Sequence, residues 1–147
     1  MMNIRIDAGQ SKVKTKSYRE KLKAIATELN LEPRGTIVIK LGGLEESRSL
    51  NRQYLEKDYP TDVLSFPFNE ELPEGYYVGD IFICFPVAQN QAKENHIALE
   101  EELFRLMVHG LLHLYGYDHE TDSGQMLSLQ EQLVAAYLKR EAPVEEI

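Results

Sequence analysis

The sequence predicts an α/β (α+β) domain in which a small mixed four-stranded sheet packs with about five helices. Strand-like and helix-like stretches alternate along a chain of 147 residues, and this interleaving is typical of domains that pack helices on a sheet. A chain of this length buries about two thirds of the surface that it exposes when unfolded. The sequence contains no repeat or linker, so residues 1–147 are expected to form one domain.

Four short segments have the alternating pattern or the β-branched, apolar composition of strands. In the first, Ile4 and Ile6 alternate with polar residues. Pro67, Pro73 and Gly75 are predicted to form a loop between the third and the fourth. The predicted strands are Asn3–Ala8, Thr36–Leu41, Asp62–Phe66 and Gly79–Phe85.

Four further segments have the apolar spacing of helices. The third of them is apolar nearly all round, as expected of a buried helix. Leu127, Gln130, Val134 and Tyr137 fall on one side of the last. The predicted helices are Ser17–Asn30, Leu44–Leu55, Leu99–Tyr115 and Ser123–Arg140.

The composition excludes several classes of protein. Cys84 is the single cysteine, so there is no disulfide framework and no thiolate zinc site, and Cys84 is expected to pack in the core. This cysteine usage favours a reducing, cytoplasmic location. No segment approaches the roughly 18 apolar residues of a membrane span, so we expect a soluble protein without a membrane partner.

The charge distribution bears on a nucleic-acid partner. The net charge of −8 argues against one, because phosphate binding normally draws on an excess of Lys and Arg. Residues 1–40 nevertheless hold nine Lys or Arg against four acids, a local balance of +5. A basic patch is therefore expected near the N-terminus, although each of these side chains also suits an ordinary solvated surface.

Three histidines form the most informative pattern. His109 and His113 are four residues apart on a predicted helix and project from one face. Gly116 can adopt a left-handed cap that turns the chain back, which brings His119 to the same point. Three imidazoles can hold one metal ion and leave a fourth position for water or substrate, the usual arrangement of a catalytic zinc site.

The alternative is three histidines packed in a core helix. Each buried imidazole would then need its own polar partner, whereas one ion satisfies all three, so metal ligation is the preferred interpretation. Zn²⁺ suits three histidines and a water, but imidazole also accepts nickel, copper and iron. His96 lacks such neighbours and is expected to be an ordinary surface residue.

The histidine spacing also resembles that of the metzincin proteases, which makes a zincin-like metallopeptidase a second hypothesis. In those enzymes the residue after the first histidine is a Glu that acts as the base. Gly110 stands at that position here. Since a metal ion alone brings the pKa of water to about 7, chemistry that needs less help from a side-chain base is favoured.

Several motifs together resemble the YbeY family, bacterial metal-dependent endoribonucleases that act in ribosomal RNA maturation. The resemblance covers about residues 40–135, and the combined motifs are far more specific than the histidine spacing. The matching motifs are the run His109 to His119 with the preceding Glu102-Leu103, Leu50-Asn51, Tyr54, Lys57-Asp58, Pro60 to Phe66, Gly79-Asp80-Ile81, and Met126 with Gln130-Glu131.

This resemblance implies a zinc-type site and cleavage of single-stranded RNA, with precursor rRNA and the small ribosomal subunit as partners. It further implies work on the 3′ end of 16S rRNA and in ribosome quality control. After the motif tyrosine the family commonly has an Arg, thought to take part in cleavage, whereas this chain has Leu55. Arg52 and Lys57 are the candidate replacements as phosphate contacts. A third hypothesis is a noncatalytic ribosome-associated factor with a structural metal.

Other residues near these motifs can support the site. Metal-bound histidines usually donate their second ring nitrogen to a carboxylate or a carbonyl, and Asp118 is the nearest carboxylate in sequence, although it equally suits a turn. Asp62, Ser65 and Asp80 are the other polar candidates. Aromatic residues cluster nearby and can stack unpaired bases, though most such residues belong to a core; they are Tyr54, Tyr59, Phe66 and Phe68.

Overall fold

The computed structural model describes residues 2–31 and 34–138. It confirms the predicted fold class, with four strands and five helices in this part of the chain. The predicted end of the last helix at Arg140 lies outside the described residues. In chain order the elements are β1 (Met2–Asp7), α1 (Lys16–Glu28), β2 (Gly35–Gly42), α2 (Leu44–Leu55), β3 (Val63–Leu72), β4 (Gly75–Cys84), α3 (Phe85–Glu94), α4 (Leu99–Leu114) and α5 (Gln125–Leu138).

The sheet is mixed, with the strand order β1-β2-β4-β3. Strands β1, β2 and β4 are parallel to one another, and β3 pairs antiparallel with β4 at the edge. One face packs against the helices through buried isoleucines, among them Ile37, Ile39, Ile81 and Ile83. Among the described helices, none is long and apolar enough to cross a bilayer.

Helix α4 is the centre of the main core. Phe104, Met107 and Leu111 on this helix are fully buried, and α4 contacts α1, α3 and α5 as well as strands β3 and β4. The opposite face of the sheet carries a smaller cluster in which Phe82 and Cys84 pack near Leu50 of α2. Core packing of Cys84, as predicted, is therefore confirmed.

The predicted loop is wrong at Pro67, because β3 and β4 form a long hairpin; the chain turns only at Pro73 and Glu74. Strand β3 passes through Pro67 and ends at Leu72. Proline is tolerated there because β3 is an edge strand. The pairing register shifts between Pro67 and Glu70, and Asn69 between them has a φ of +52°, so an irregularity accommodates the proline.

The strand predicted to end at Phe85 ends one residue earlier, and Phe85 begins α3. Pro86 lies in the first helical turn, where a missing N–H costs nothing. The sequence pattern did not locate this helix because its buried face consists only of Ala88 and Ala92. Two alanines give too weak an apolar periodicity to indicate a helix.

Gly110 allows the close contact between α4 and the sheet. A Cβ atom at this position would lie 2.7 Å from Cγ2 and 2.9 Å from Cδ1 of Ile81 on β4. Ordinary carbon contacts are about 3.5–4.0 Å. The residue that follows the first histidine therefore points into the sheet, and it is glycine because there is no room for a side chain.

We expect Gly110→Ala to lower the free energy of unfolding by about 1–3 kcal/mol, because the added methyl overpacks the contact with Ile81. Urea unfolding followed by circular dichroism measures this change. In an Ile81→Ala background the same substitution should cost little or should stabilise the protein, since alanine favours helix over glycine. An equal cost in both backgrounds would contradict this explanation.

Candidate metal centre

The end of α4 arranges the three histidines as the sequence predicts. Helix α4 ends at Leu114, and Gly116 follows with a φ of +95°. The Gly116 N–H donates to the carbonyl of His113 and the Tyr117 N–H donates to that of Leu112, both at 3.1 Å. This is the Schellman pattern. It reverses the chain within two residues and returns His119 to the face of α4.

The three imidazoles converge. Their possible ligand nitrogens all lie within 4.8 Å of one another. The ring centroids are 4.9 Å apart for His109 and His113, 5.3 Å for His109 and His119, and 5.6 Å for His113 and His119. All three residues are half-buried, so this cluster lies at the edge of the core rather than within it. His96 is exposed, as predicted.

The chemistry of this cluster fits a metal ion. Nδ1 of His119 is buried, and no described residue offers it a hydrogen bond. Burial lowers the pKa of His113, and the neighbouring His109 and His119 lower it further. Metals bind the neutral imidazole, so the surroundings of His113 favour the form that ligation requires. The site can therefore hold an ion of the zinc, nickel, copper or iron type.

Gln130 on α5 is the hydrogen-bond partner of His109. Its Oε1 lies 2.7 Å from Nδ1 of His109, and its Nε2 donates to the Glu131 carboxylate at 3.1 Å. Because the amide nitrogen is directed at a carboxylate, the oxygen faces the imidazole, and Nδ1 of His109 carries the proton. Nε2 of His109 then keeps the lone pair that a metal needs.

Asp118, the carboxylate that the sequence suggests as a partner of the histidines, is not the hydrogen-bond partner of His109. Its carboxylate accepts the backbone N–H of Glu120 at 3.0 Å, as a turn residue does. Gln130 was missed as a partner, although the sequence carries a signal for it. It is a polar residue in the apolar stripe of α5 and is only 6% exposed, and a buried amide needs partners.

Arg105 connects α4 to α5 behind this site. Its guanidinium binds both carboxylate oxygens of Glu131, at 2.8 and 3.0 Å, and also contacts Glu101 and Glu102. Glu102 is buried and accepts a second hydrogen bond from Gln91 of α3 at 2.7 Å. These contacts raise the pKa of Arg105, and its hydrogen bond lowers the pKa of Glu131. The partner of Gln130 is therefore held by ion pairs.

The histidines line a cleft of about 1080 Å³ between α2, β3, α4 and α5. Lys57 also lines this cleft and makes no ion pair with any described residue. Arg52 is not among the lining residues, and its guanidinium contacts Asp58 at 3.4 Å. The structure thus brings one of the two candidate cations to the histidines. The phosphate-binding role of either residue stays a prediction.

Two buried polar residues of α2 anchor the segment that carries Lys57. The Ser47 hydroxyl donates to the carbonyl of Thr61 and accepts the Thr61 N–H, both at 2.9 Å. The side-chain amide of Asn51 donates to the carbonyl of Tyr59 at 2.8 Å. The fully buried residues of α2 are therefore polar, and each is bound to the backbone of this segment.

An apolar rim surrounds the cleft. Leu55 is 53% exposed at this rim, and Tyr54, Tyr59 and Leu127 are exposed beside it. Asp62 and Ser65 lie on the wall and make structural contacts: Asp62 accepts the Val63 N–H at 2.7 Å, and Ser65 reaches the carbonyl of Gly110 at 3.5 Å.

Comparisons with known proteins agree on one family. The protein-family model described as Endoribonuclease YbeY matches residues 3–138. A protein of Persephonella marina named Endoribonuclease YbeY is 37% identical over 142 residues, which cover 91% of this chain and 92% of the relative. A protein of the same name from a Sulfurihydrogenibium species is 44% identical over 128 residues, covering 84% of each chain.

A solved structure is similar over the whole fold. The solution structure of TM1509 from Thermotoga maritima superposes with a TM-score of 0.66 at 30% sequence identity. The match covers 100% of this chain and 97% of that one.

Removing the Gln130 acceptor should weaken metal binding without unfolding the protein. We expect Gln130→Leu to lower the affinity for Zn²⁺ about 10- to 100-fold, because His109 loses the group that fixes its ring and its tautomer. Competition with a chromophoric chelator measures the affinity. In a Glu131→Gln background, Gln130→Glu keeps an acceptor for His109 and gains a donor from residue 131, so this double variant should bind Zn²⁺ within a few-fold of the original protein. An equal loss of affinity in this double variant and in Gln130→Leu would contradict the role of the contact.

The Arg105 cluster should give a pH-dependent contribution to stability. A carboxyl group whose pKa is lowered on folding stabilises the folded protein at pH values above its ordinary pKa. This contribution to the free energy of unfolding is lost as the pH falls through the lowered pKa. The difference in unfolding free energy between the original protein and Arg105→Leu should therefore narrow below the ordinary Glu131 pKa of 4.5. Urea unfolding at a series of pH values tests this. In a Glu131→Gln background, the difference in unfolding free energy caused by Arg105→Leu should vary less with pH. A difference that does not vary with pH in either background would contradict this explanation.

Proposed function

This chain belongs to the YbeY endoribonuclease family, and on that basis we propose that it is a metal-dependent endoribonuclease specific for single-stranded RNA. We further propose that it acts in the cytoplasm on the 3′ end of 16S rRNA and in ribosome quality control, with the small subunit as its partner. The observation that carries the proposal is the three-histidine cluster, which lines an open cleft and can hold one metal ion.

His109, His113 and His119 are the proposed ligands, and Zn²⁺ is the proposed metal. When bound, zinc would supply a Lewis acid and would lower the pKa of water. The chain's own contribution is to bring three imidazoles together and to orient them. Gln130 fixes the ring of His109, the Schellman turn places His119, and burial lowers the pKa of His113.

Lys57 is the proposed phosphate contact. It is the member of the Arg52 and Lys57 pair that lines the cleft, and it is not bound to a described carboxylate. Arg105 also lines the cleft, but three carboxylates surround its guanidinium. A phosphodiester gains negative charge in the transition state, so a cation that remains available stabilises it better than one already paired.

The rim of the cleft supports selectivity for single strands. Tyr54 and Tyr59 are both more than half exposed, so their ring faces are accessible to a ligand. Unpaired bases can stack on such rings, whereas bases in a duplex are already stacked and paired.

The structure gives no support to the peptidase hypothesis. A zincin peptidase uses a Glu directly after the first histidine as its base. At Gly110 a side chain would run into Ile81, so this position faces the sheet rather than the cleft.

Three substitutions test the proposed activity on a labelled single-stranded RNA supplied with Zn²⁺. His113→Ala should abolish cleavage and bound metal, because two imidazoles hold the ion poorly. Lys57→Ala should reduce cleavage about 100-fold through the loss of charge stabilisation. Arg52→Ala is the matched control, a nearby exposed cation outside the cleft, and should cleave almost normally.

The same assay on matched double-stranded RNA should give no product. In cells, replacement of the original protein by the His113→Ala variant should lead to the accumulation of 16S precursors that are extended at the 3′ end. A protein that binds metal and single-stranded RNA but cuts neither RNA would instead be a noncatalytic ribosome-associated factor.

A further inference from the structure

A second cavity of about 610 Å³ lies on the face of the sheet opposite α4. The register shows which residues share this face. Asp80 of β4 pairs with Val38 of β2 on one side and with Phe66 of β3 on the other, and Val38 pairs with Arg5 of β1. The neighbouring isoleucines of these strands point into the main core, so this row points away from it.

Helix α2 covers only part of this face. Leu50 of α2 packs against the cluster that contains Phe82, whereas Phe68 remains 47% exposed. The rings of Phe68 and Tyr77 are 5.2 Å apart with their planes at 63°. Tyr54 and Phe66 form a second aromatic pair, at 5.1 Å. The cavity thus has aromatic walls in which Phe68 and Tyr54 are about half exposed, and its volume is that of a small-ligand site.

Polar groups accompany these rings. The Tyr77 hydroxyl donates to one carboxylate oxygen of Asp80, and an ionised carboxylate has room for further donors. Lys40 lines the same cavity and pairs with Glu46 at 2.9 Å. Lys40 and Arg5 both belong to the basic N-terminal part of the sequence. An acceptor beside aromatic rings matches the donor edge and the flat π-face of a nucleobase.

The second cavity adjoins the histidine cleft. Tyr54, Ser65 and Phe66 line both, so the boundary between them is the end of α2 and the edge strand β3. A flexible single strand can place one nucleotide on each side of such a boundary. A rigid duplex cannot follow the turn around the edge of the sheet.

We propose that the second cavity binds an unpaired nucleobase with an exocyclic amino group, from the same RNA strand whose backbone occupies the histidine cleft. The base stacks on Phe68 and Tyr54, and its amino group donates to Asp80. Uracil presents its single N–H between two carbonyl oxygens, which a carboxylate repels, so adenine is preferred over uracil. This inference rests on the proposed function, because it assumes that RNA lies in the cleft.

Single tryptophans test this assignment, since the chain contains no Trp. Phe68→Trp reports on the second cavity and Leu127→Trp on the rim of the histidine cleft; the two side chains are 47% and 43% exposed. Leu44→Trp is the control, because Leu44 is as exposed as Phe68 but lines neither cavity. Each variant is titrated with a short oligoadenylate or oligouridylate, and a gel verifies that the RNA stays intact.

We expect oligoadenylate to quench the emission of Phe68→Trp and to change that of Leu127→Trp, with Leu44→Trp unaffected. Oligouridylate should bind about tenfold more weakly. Asp80→Ala removes the acceptor and should abolish this preference, and Phe68→Ala should weaken oligoadenylate binding about tenfold through lost stacking.

Two results would overturn the inference and leave the proposed function intact. In the first, RNA changes the emission of Leu127→Trp but not that of Phe68→Trp. In the second, the emission of Phe68→Trp changes with protein concentration alone, which would mean that a second copy of the chain fills the cavity. If neither reporter responds and filter binding detects no RNA, the proposed function fails, and the inference fails with it.

Discussion

The close approach of α4 to β4 is the contact on which the rest of the structure depends. Gly110 and Ile81 leave no space for a side chain between helix and sheet, and the surrounding Met107 and Leu111 are completely buried. A packed interior resists small displacements, so α4 has one position on the sheet. His109 and His113 lie on the half-buried side of the same helix. The contact that builds the core therefore also fixes two of the three candidate ligands.

A network of hydrogen bonds and ion pairs behind the site orients the ring of His109, which packing alone does not fix. An imidazole can rotate and has two tautomers, and the hydrogen bond from His109 to Gln130 selects one of them. Gln130 is in turn held by Glu131, and Glu131 by Arg105. A buried carboxylate such as Glu102 is tolerated only when paired, and the same guanidinium pairs it. Core stability and ligand geometry thus share one network that joins α3, α4 and α5.

The two faces of the sheet have different roles. The face toward α4 is filled by isoleucines and gives stability, while the other is only partly covered by α2. The buried side of α2 is polar, since Ser47 and Asn51 bind the backbone of residues 59 and 61. Through these hydrogen bonds α2 holds the loop that carries Lys57 in place. The end of α2 at Tyr54, together with Phe66 of β3, separates the histidine cleft from the second cavity.

By itself, the sequence determined the features that depend on local spacing. Helical periodicity and the cap at Gly116 depend on residues within a turn or two of one another, and they predicted α4, its end and the convergence of three histidines. Tertiary structure decided what depends on distant pairing. Gln130 meets His109 across two helices, and Lys57 rather than Arg52 reaches the cleft because Ser47 and Asn51 anchor its loop. The extension of β3 through Pro67 and the weakly patterned α3 were decided in the same way, because an edge position and packing against neighbours outweighed local propensity.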